Sequence, residues 1–135
     1  MNLDFANRLL ENFTHEFQGE ALAMFTEDGV FEDYTLGFRV EGTEQIKGLF
    51  QDFFNTTKWE HDFNALSYKG DETGGAIEYT WVMRADEFMG FPTNGQPLNI
   101  RGVYAITLRD GKISSLVDYW DAAILLRQLN AIKYE

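Results

Sequence analysis

Hydrophobic residues recur at helical spacing in the first part of the chain and at every second position in the later part. Residues 3–17 carry apolar side chains three or four positions apart, which predicts an amphipathic helix. A shorter helix is predicted over Glu20–Phe25, and a third begins with Thr43 as its N-cap. Three short elements are predicted between these last two helices: a turn at Glu27–Gly29, a strand over Val30–Tyr34 and a connecting loop over Leu36–Gly42.

From residue 59 onward the hydrophobic period is two, which is typical of strands. The predicted strands are Trp59–Tyr68, Ala76–Ala85, Leu98–Leu108 and a final strand that carries Asp118. A polar turn over Lys69–Gly75 separates the first two strands, and a loop over Asp86–Pro97 separates the second from the third. A last helix is predicted over Ala122–Leu129, with Asp121 as its N-cap. Helices followed by antiparallel strands predict an α+β fold in which the helices pack on one face of a curved sheet. No repeat or linker divides the chain, so residues 1–135 are expected to form a single domain.

Aromatic residues make up 16% of the chain, enough to fill a core and also to line a pocket for an organic ligand. The formal net charge is −11, and lysine and arginine are scattered singly. Nucleic acid and anionic membrane surfaces are therefore not expected partners, because both require a basic surface. No apolar run is long enough to cross a membrane.

The chain contains no cysteine, which excludes disulfides and thiol catalysis. Its first residues have no apolar signal segment, so a soluble, cytoplasmic protein is expected. The only two histidines, His15 and His61, do not form a metal-ligand cluster, and no phosphate-binding loop or nucleotide fingerprint occurs. No metal and no cofactor are therefore expected.

The last two strands flank an Asp110-Gly111 turn, and the length of this turn sets their register. A two-residue turn would pair Arg109 with Lys112 and place Asp118 opposite Val103. A three-residue turn with a glycine bulge would instead put Asp118 opposite Gly102, on the apolar face that includes Tyr104. We prefer the second arrangement, in which Asp118 is desolvated and its pKa is raised.

Asp33 is a second candidate carboxylate, because it ends a short strand after Phe31. Two inward carboxylates inside an aromatic cavity would suit proton transfer between carbon and oxygen. The alternatives are that Asp33 caps local backbone amides and that Asp118 is a structural or solvent-exposed residue. Apolar rings in the loop after residue 86 indicate a lid or pocket rim, or side chains that simply cover the core.

Several motifs together resemble the SnoaL-like polyketide cyclases of the nuclear transport factor 2 and ketosteroid isomerase superfamily. The motifs are Met24–Asp33, Glu41–Ile46, Glu87–Gly95, Arg101–Val103, Asp110–Ile113, Asp118 with Asp121, and Leu125–Leu129. The resemblance covers essentially the whole chain. It implies a cone-shaped half-barrel, with a curved antiparallel sheet around the N-terminal helices and an apolar cavity between them.

The resemblance also implies site residues. The acid/base aspartate of the cyclases lies at the position of Asp118, and their frequent histidine is replaced here by Tyr104. The proton-shuttling aspartate of ketosteroid isomerases aligns with Asp33. The arginine and second aspartate of limonene-type epoxide hydrolases fall near Tyr79 and Trp81, so that reaction is disfavoured. Homodimerisation through the outer face of the sheet is a further expectation from the resemblance.

We therefore predict a cofactor-independent acid/base enzyme that acts on a hydrophobic, carbonyl-bearing small molecule by aldol-type cyclisation or isomerisation. Asp118, Asp33 and Tyr104 are the predicted catalytic residues. The predicted substrate-binding residues are Trp81, Tyr79, Phe31, Phe88, Met89, Phe91, Gly102, Trp120 and His61. The alternative is a non-catalytic ligand-binding or dimerisation module, whose cavity polar groups would all be satisfied by the protein.

Overall fold

The computed structural model describes residues 2–13, 18–55, 60–88 and 90–130. The helices are α1 (Leu3–Glu11), α2 (Gln18–Ala23), α3 (Thr43–Asn55) and α4 (Ala122–Gln128). The strands are β1 (Phe25–Asp33), β2 (Phe38–Glu41), β3 (Glu60–Asp71), β4 (Gly74–Arg84), β5 (Glu87–Phe88), β6 (Phe91–Pro92), β7 (Leu98–Arg109) and β8 (Lys112–Trp120). Helices on one side of a mostly antiparallel sheet confirm the predicted α+β class.

Six strands form one curved, open sheet in the order β2-β1-β8-β7-β4-β3, and β5 and β6 form a separate two-stranded ladder. All neighbours in the large sheet are antiparallel except β1 and β8, which run parallel. The prediction of a purely antiparallel sheet was therefore wrong at this pair. β1 and β8 come from opposite ends of the chain, so no hairpin turn forces them to be antiparallel.

The N-terminal elements depart most from the sequence prediction. The turn predicted at Glu27–Gly29 is instead an irregular stretch inside β1, because the pairing with β8 shifts between Phe25 and Val30. The loop predicted over Leu36–Gly42 contains β2, an edge strand that pairs with β1. Both short segments are extended because they pair across the sheet, and Phe38–Glu41 also alternates apolar and polar side chains over its four residues.

Three helix boundaries also differ from those predicted. Helix α2 ends at Ala23, because Phe25 already pairs with β8 as the first residue of β1. Helix α1 ends at Glu11, and residues 14–17 of the predicted first helix lie outside the described residues. Helix α3 begins at Thr43 itself, so the element is confirmed although its first residue is one position earlier than expected.

The central strands present one apolar face to the helices, as the alternation predicts. In β7, every second residue from Leu98 to Leu108 is buried, and the residues between them are exposed or half-buried. In β4, the buried residues Ile77, Tyr79, Trp81 and Met83 share the same face. Helix α1 packs against β3 and helix α3 against β1 and β2, so this face closes around the core.

The β7–β8 hairpin combines parts of both predicted registers. Its turn has two residues, because Arg109 pairs with Lys112. A bulge at Ser114 then shifts the ladder by one residue, so that Tyr104, rather than Gly102 or Val103, lies directly opposite Asp118. The preferred three-residue turn was therefore wrong, although Asp118 does lie on the buried face that carries Tyr104 and Gly102.

Candidate functional site

A cavity of about 110 Å³ lies between the apolar face of the sheet and the helices. Most of its wall is aromatic, and the rings are Phe13, Phe31, Phe38, Phe50, Phe63, Tyr79, Trp81, Phe88, Tyr104 and Trp120. Leu36, Leu49 and Ile100 complete the apolar lining, and two carboxylates, Asp33 and Asp118, also face the cavity. Small-molecule sites typically have this arrangement, in which a concave apolar wall carries a few polar groups.

Asp118 is 8% exposed, and within the described part of the chain its carboxyl group has one hydrogen bond partner. The Tyr79 hydroxyl donates to its Oδ1 at 2.6 Å. Burial raises the pKa of Asp118 to about 8, the hydrogen bond from Tyr79 lowers it, and the negative charge of Asp33 raises it. At neutral pH this carboxyl therefore holds a proton that an exposed aspartate would have released.

Asp33 is also buried, but donors surround it. The backbone amide of Leu36 donates to Oδ1 at 2.8 Å, and the indole N–H of Trp120 lies 3.1 Å from Oδ1 and 3.0 Å from Oδ2. Burial raises the pKa of Asp33, while these hydrogen bonds oppose the rise. The two carboxylates are neighbours across the parallel β1–β8 pair, and burial raises the pKa of both, but more hydrogen bonds oppose the rise at Asp33 than at Asp118.

The two tyrosines stack on one another with ring centroids 4.4 Å apart and an angle of 15° between the rings. Burial is the main cause that raises the pKa of both Tyr79 and Tyr104, and the charge of Asp118 raises both further. Both hydroxyls therefore stay protonated and serve as hydrogen bond donors. Sequence analysis selected Tyr104 as a catalytic residue and Tyr79 as a substrate-binding one, and in the structure Tyr79 donates the hydrogen bond to Asp118.

Gly102 makes room for Tyr79 and not for a ligand. A Cβ atom at this position would lie 2.6 Å from the Tyr79 hydroxyl oxygen and 2.8 Å from the Tyr119 carbonyl oxygen. Gly102 is not among the residues that line the cavity. Its contribution to the site is indirect, because it allows the Tyr79 hydroxyl to reach Asp118.

Most of the other predicted binding residues border the cavity. Phe31, Trp81, Phe88 and Trp120 are among its lining residues. Phe91 lies on β6 opposite Phe88, is 37% exposed and is not part of the lining. The side chain of His61 and all of Met89 lie outside the described residues.

Sequence reasoning missed the contacts that hold the carboxyl end of β1 against β8. The Thr35 hydroxyl donates to the Trp120 carbonyl oxygen at 2.8 Å and accepts from the Trp120 amide at 2.9 Å. These bonds fix the turn that carries Leu36, a cavity-lining residue that is 51% exposed. No pattern near Thr35 identified this role, since the two residues are 85 positions apart.

Asp121 is the N-cap of α4, and its side chain accepts from the Ile124 amide at 3.1 Å, as predicted. Among the described residues, no group of three or more His, Asp or Glu side chains is placed to hold a metal ion. Within the same ranges, no helix is long and apolar enough to cross a membrane.

Comparisons with known proteins agree with this architecture. The model of the SnoaL-like domain family matches residues 6–116. No curated protein matches the chain significantly. Among solved structures, a candidate SnoaL-like polyketide cyclase from Shewanella putrefaciens is 17% identical, with a TM-score of 0.79 and 96% of each chain covered.

Two further solved structures have similar scores. A candidate polyketide cyclase from Xanthomonas campestris is 20% identical, with a TM-score of 0.75 and 90% of each chain covered. A protein of ketosteroid isomerase-like fold from Catenulispora acidiphila, in complex with trimethylamine, is 20% identical, with a TM-score of 0.71 and coverage of 90% of this chain and 88% of that one. The family match spans most of the chain, and we conclude that this protein belongs to the SnoaL-like domain family, with the ketosteroid isomerase-like fold.

Proposed function

We propose that this protein is a cofactor-independent acid/base enzyme that acts on a small, hydrophobic carbonyl compound. The observation that supports the proposal is a buried carboxyl, Asp118, whose pKa is raised to about 8 and which faces an aromatic cavity. A carboxyl whose pKa lies near the working pH exchanges protons efficiently in either direction.

The two carboxylates have different roles in this proposal. Asp118 is the acid, because with a pKa of about 8 roughly nine in ten molecules are protonated at pH 7. Its Oδ1 already accepts from Tyr79, so the proton is held on Oδ2. Asp33 is the base, since two N–H donors stabilise its ionised form.

The reaction begins when Asp33 accepts a proton from the carbon beside the substrate carbonyl. Asp118 gives its proton to the carbonyl oxygen, and an enol forms without a free charge on oxygen. Tyr104 lies in the same wall with its hydroxyl hydrogen-bonded to that of Tyr79, and on substrate binding it donates to the carbonyl oxygen instead. The enol then returns its O–H proton to Asp118. In an isomerisation, the far carbon of an adjacent double bond takes the proton that Asp33 holds; in an aldol-type cyclisation, the enol carbon attacks a second carbonyl of the same molecule, whose oxygen takes that proton.

The size of the cavity limits what it holds. Its volume of about 110 Å³ is well below the ~300–1,000 Å³ that is usual for larger ligands. It is closer to the ~150 Å³ cavity that accommodates benzene in another protein. We therefore expect the reacting part of the substrate to be about the size of one six-membered ring.

Uptake of solvent deuterium next to the carbonyl of cyclohexanone and cyclopentanone, followed by NMR, tests the proposal. We expect the wild type to accelerate the exchange and Asp118→Asn to slow it by roughly 10²–10⁴-fold. Asp62→Asn, which removes an exposed carboxylate on β3, is the matched control and should exchange like the wild type. If the wild type exchanges these ketones no faster than Asp118→Asn, the catalytic proposal is wrong.

A ligand-binding module without catalysis is the second candidate. It is favoured by Asp33, both of whose oxygens accept hydrogen bonds from the protein, as in a structural carboxylate. Under this alternative, small ketones bind and no variant changes their exchange rate. The same experiment therefore separates the two candidates.

We also propose that two copies pair through the outer face of the sheet. Tyr34 and Tyr119 lie on that face, are 65% and 46% exposed, and contact each other with ring centroids 5.3 Å apart. Light scattering of the wild type and of Tyr119→Glu would report the dimer and its loss.

A further inference from the structure

The charged groups that face the cavity are all negative among the lining residues that the structure describes. Asp33 and Asp118 supply full or potential negative charge, and none of these lining residues is lysine or arginine. We propose that the cavity recognises a small organic cation, an alkylammonium group held between aromatic rings and the two carboxylates. This inference goes beyond the proposed function. The cation is a second ligand of the same cavity, and it competes with the carbonyl substrate because it ionises the carboxyl that the proposed reaction needs protonated.

The cavity walls suit a cation because they combine ring surfaces with nearby carboxylates. Trp81 stacks on Phe63 with centroids 5.8 Å apart and an angle of 27°, and the stacked Tyr79–Tyr104 pair forms another part of the wall. Rings of tryptophan and tyrosine attract cations through their electron-rich faces, most strongly where water is excluded. The same rings give an anion no donor other than the tyrosine hydroxyls and the indole N–H groups.

The available volume and oxygen atoms favour an organic cation over a metal ion. A divalent metal ion requires about six oxygen ligands or retained waters, and this wall is mostly hydrocarbon. A methylated ammonium group is weakly hydrated, so it loses less on entering an aromatic cavity. At about 110 Å³ the cavity has room for a compact head group of this kind.

Asp118 is the carboxylate with capacity left for such a ligand. Its side chain accepts one hydrogen bond from the described residues, through Oδ1, whereas Asp33 accepts from two donors. The groups that face Asp118 are Tyr79 from β4, Tyr104 from β7 and Asp33 from β1, and none of them carries positive charge. A cation in the cavity supplies that charge, ionises Asp118 and releases its proton, so affinity rises with pH toward about 8.

Three probes of nearly equal shape test the inference: tetramethylammonium, neutral tert-butanol and anionic pivalate. Binding is followed by NMR and by the fluorescence of the tryptophans, since Trp81 and Trp120 line the cavity. We expect tetramethylammonium to bind at least about tenfold more tightly than tert-butanol, and pivalate not to bind. Equal binding of the cation and the alcohol, binding of pivalate, or binding of none of the three would overturn the inference.

Matched variants separate local recognition from the general attraction of a chain with net charge −11. Asp118→Asn and Asp62→Asn remove the same ionisable group, one in the cavity and one on the exposed side of β3. We expect Asp118→Asn to weaken tetramethylammonium binding about tenfold and to remove its pH dependence, with Asp62→Asn like the wild type. An equal loss in both variants means attraction by net charge only and overturns the inference.

These measurements can refute the cation-binding inference and the proposed enzymatic reaction independently of each other. If tetramethylammonium binds selectively but ketone exchange is absent, only the proposed enzymatic reaction is excluded. If exchange depends on Asp118 but the cation shows no advantage over tert-butanol, only the cation inference is excluded.

Discussion

Asp28 and Asp33 stand five positions apart on β1, and their carboxyl groups behave in opposite ways. Asp28 lies on the irregular part of the strand, where the hydrogen bond from Arg109 at 2.5 Å, together with one from Thr26, lowers its pKa. Asp33 faces the aromatic cavity, where burial raises its pKa. The difference arises from what surrounds each side chain, because the residue type and the strand are the same.

The same division separates the two ends of the β1–β8 pair. At the end near the β7–β8 turn, the exposed carboxylate of Asp28 pairs with Arg109 and contributes mainly solubility. At the other end, Asp118 is held away from water by rings and by one tyrosine hydroxyl. Proton transfer near neutral pH is therefore expected only from a carboxyl group whose pKa is raised by burial more than it is lowered by hydrogen bonds and ion pairs.

The largest expected effect is on the pH dependence of stability. The pKa of Asp118 is 3.8 in the unfolded chain and about 8 in the folded one, so its contribution to stability is fully present below pH 3.8 and is lost as pH rises toward 8. We expect the free energy of unfolding of the wild type to fall, relative to Asp118→Asn, by on the order of 5 kcal/mol across this window. Thermal and urea unfolding of both proteins at several pH values measure it.

Asp28→Asn should show the opposite sign, which sharpens the contrast. The pKa of Asp28 is lowered in the folded state, so its contribution is present above pH 3.8 and is lost as pH falls through the folded value. The free energy of unfolding of the wild type should therefore exceed that of Asp28→Asn at neutral pH and approach it in acid. If Asp118→Asn and Asp28→Asn behave alike, burial does not distinguish the two carboxylates.

The next largest change in the free energy of unfolding is expected from a substitution at Gly102. Gly102→Ala places a methyl group within 2.6 Å of the Tyr79 hydroxyl oxygen and within 2.8 Å of a backbone oxygen. We expect a loss of about 1–3 kcal/mol in the free energy of unfolding and displacement of Tyr79 from Asp118. Urea unfolding gives the first quantity, and the carboxyl ¹³C shift of Asp118 reports the second.

Gly48→Ala is the matched control for that substitution. Gly48 lies inside helix α3, and a Cβ there meets nothing within 4 Å. Alanine should raise the free energy of unfolding by up to about 1 kcal/mol, because it restricts the unfolded chain and favours helix. Destabilisation by both substitutions would show that the close approach of Tyr79 is not the cause at Gly102.

The smallest expected effect is that of removing a single hydroxyl. The hydrogen bond from Tyr79 lowers the pKa of Asp118 against the larger effect of burial. Tyr79→Phe should therefore raise the pKa of Asp118 by about one unit, measured by a ¹³C NMR titration. Tyr34→Phe, at an exposed ring, should leave it unchanged. A lower pKa in Tyr79→Phe would contradict the role given to this hydroxyl.

The long alternating strands were readable from the sequence because each has one buried face. The buried sets of β4 and β7 follow directly from the period of two, whereas the inward side of Asp118 also depended on the register of the last hairpin. Short β2 was not predicted, because its alternation covers only the four residues between Gly37 and Gly42. The register of the last hairpin depends on a bulge at Ser114, and no residue type near Ser114 predicts that bulge.

Which tyrosine touches Asp118 was beyond the sequence for the same reason. Tyr104 is the direct neighbour of Asp118 across the hairpin, whereas Tyr79 lies one strand further away and reaches it over Gly102. The alternation along a strand predicts the face of the sheet on which a tyrosine lies, but not which residue of a neighbouring strand its hydroxyl reaches. The strand pattern and the family resemblance both selected the two aspartates, and the hydrogen bonds around them came only from the structure.

The parallel pairing of β1 with β8 has a consequence for how the site is assembled. Asp33 and Asp118 become neighbours only when strands from opposite ends of the chain meet, and this closes a loop of more than eighty residues. Contacts of such long range form slowly compared with hairpins. During synthesis, the N-terminal helices, α3 and the β3–β4 hairpin leave the ribosome before β8 does, so the paired carboxylates arise only with the final segments of the chain. A chain arrested before β8 would contain half of the acid/base pair and none of its geometry.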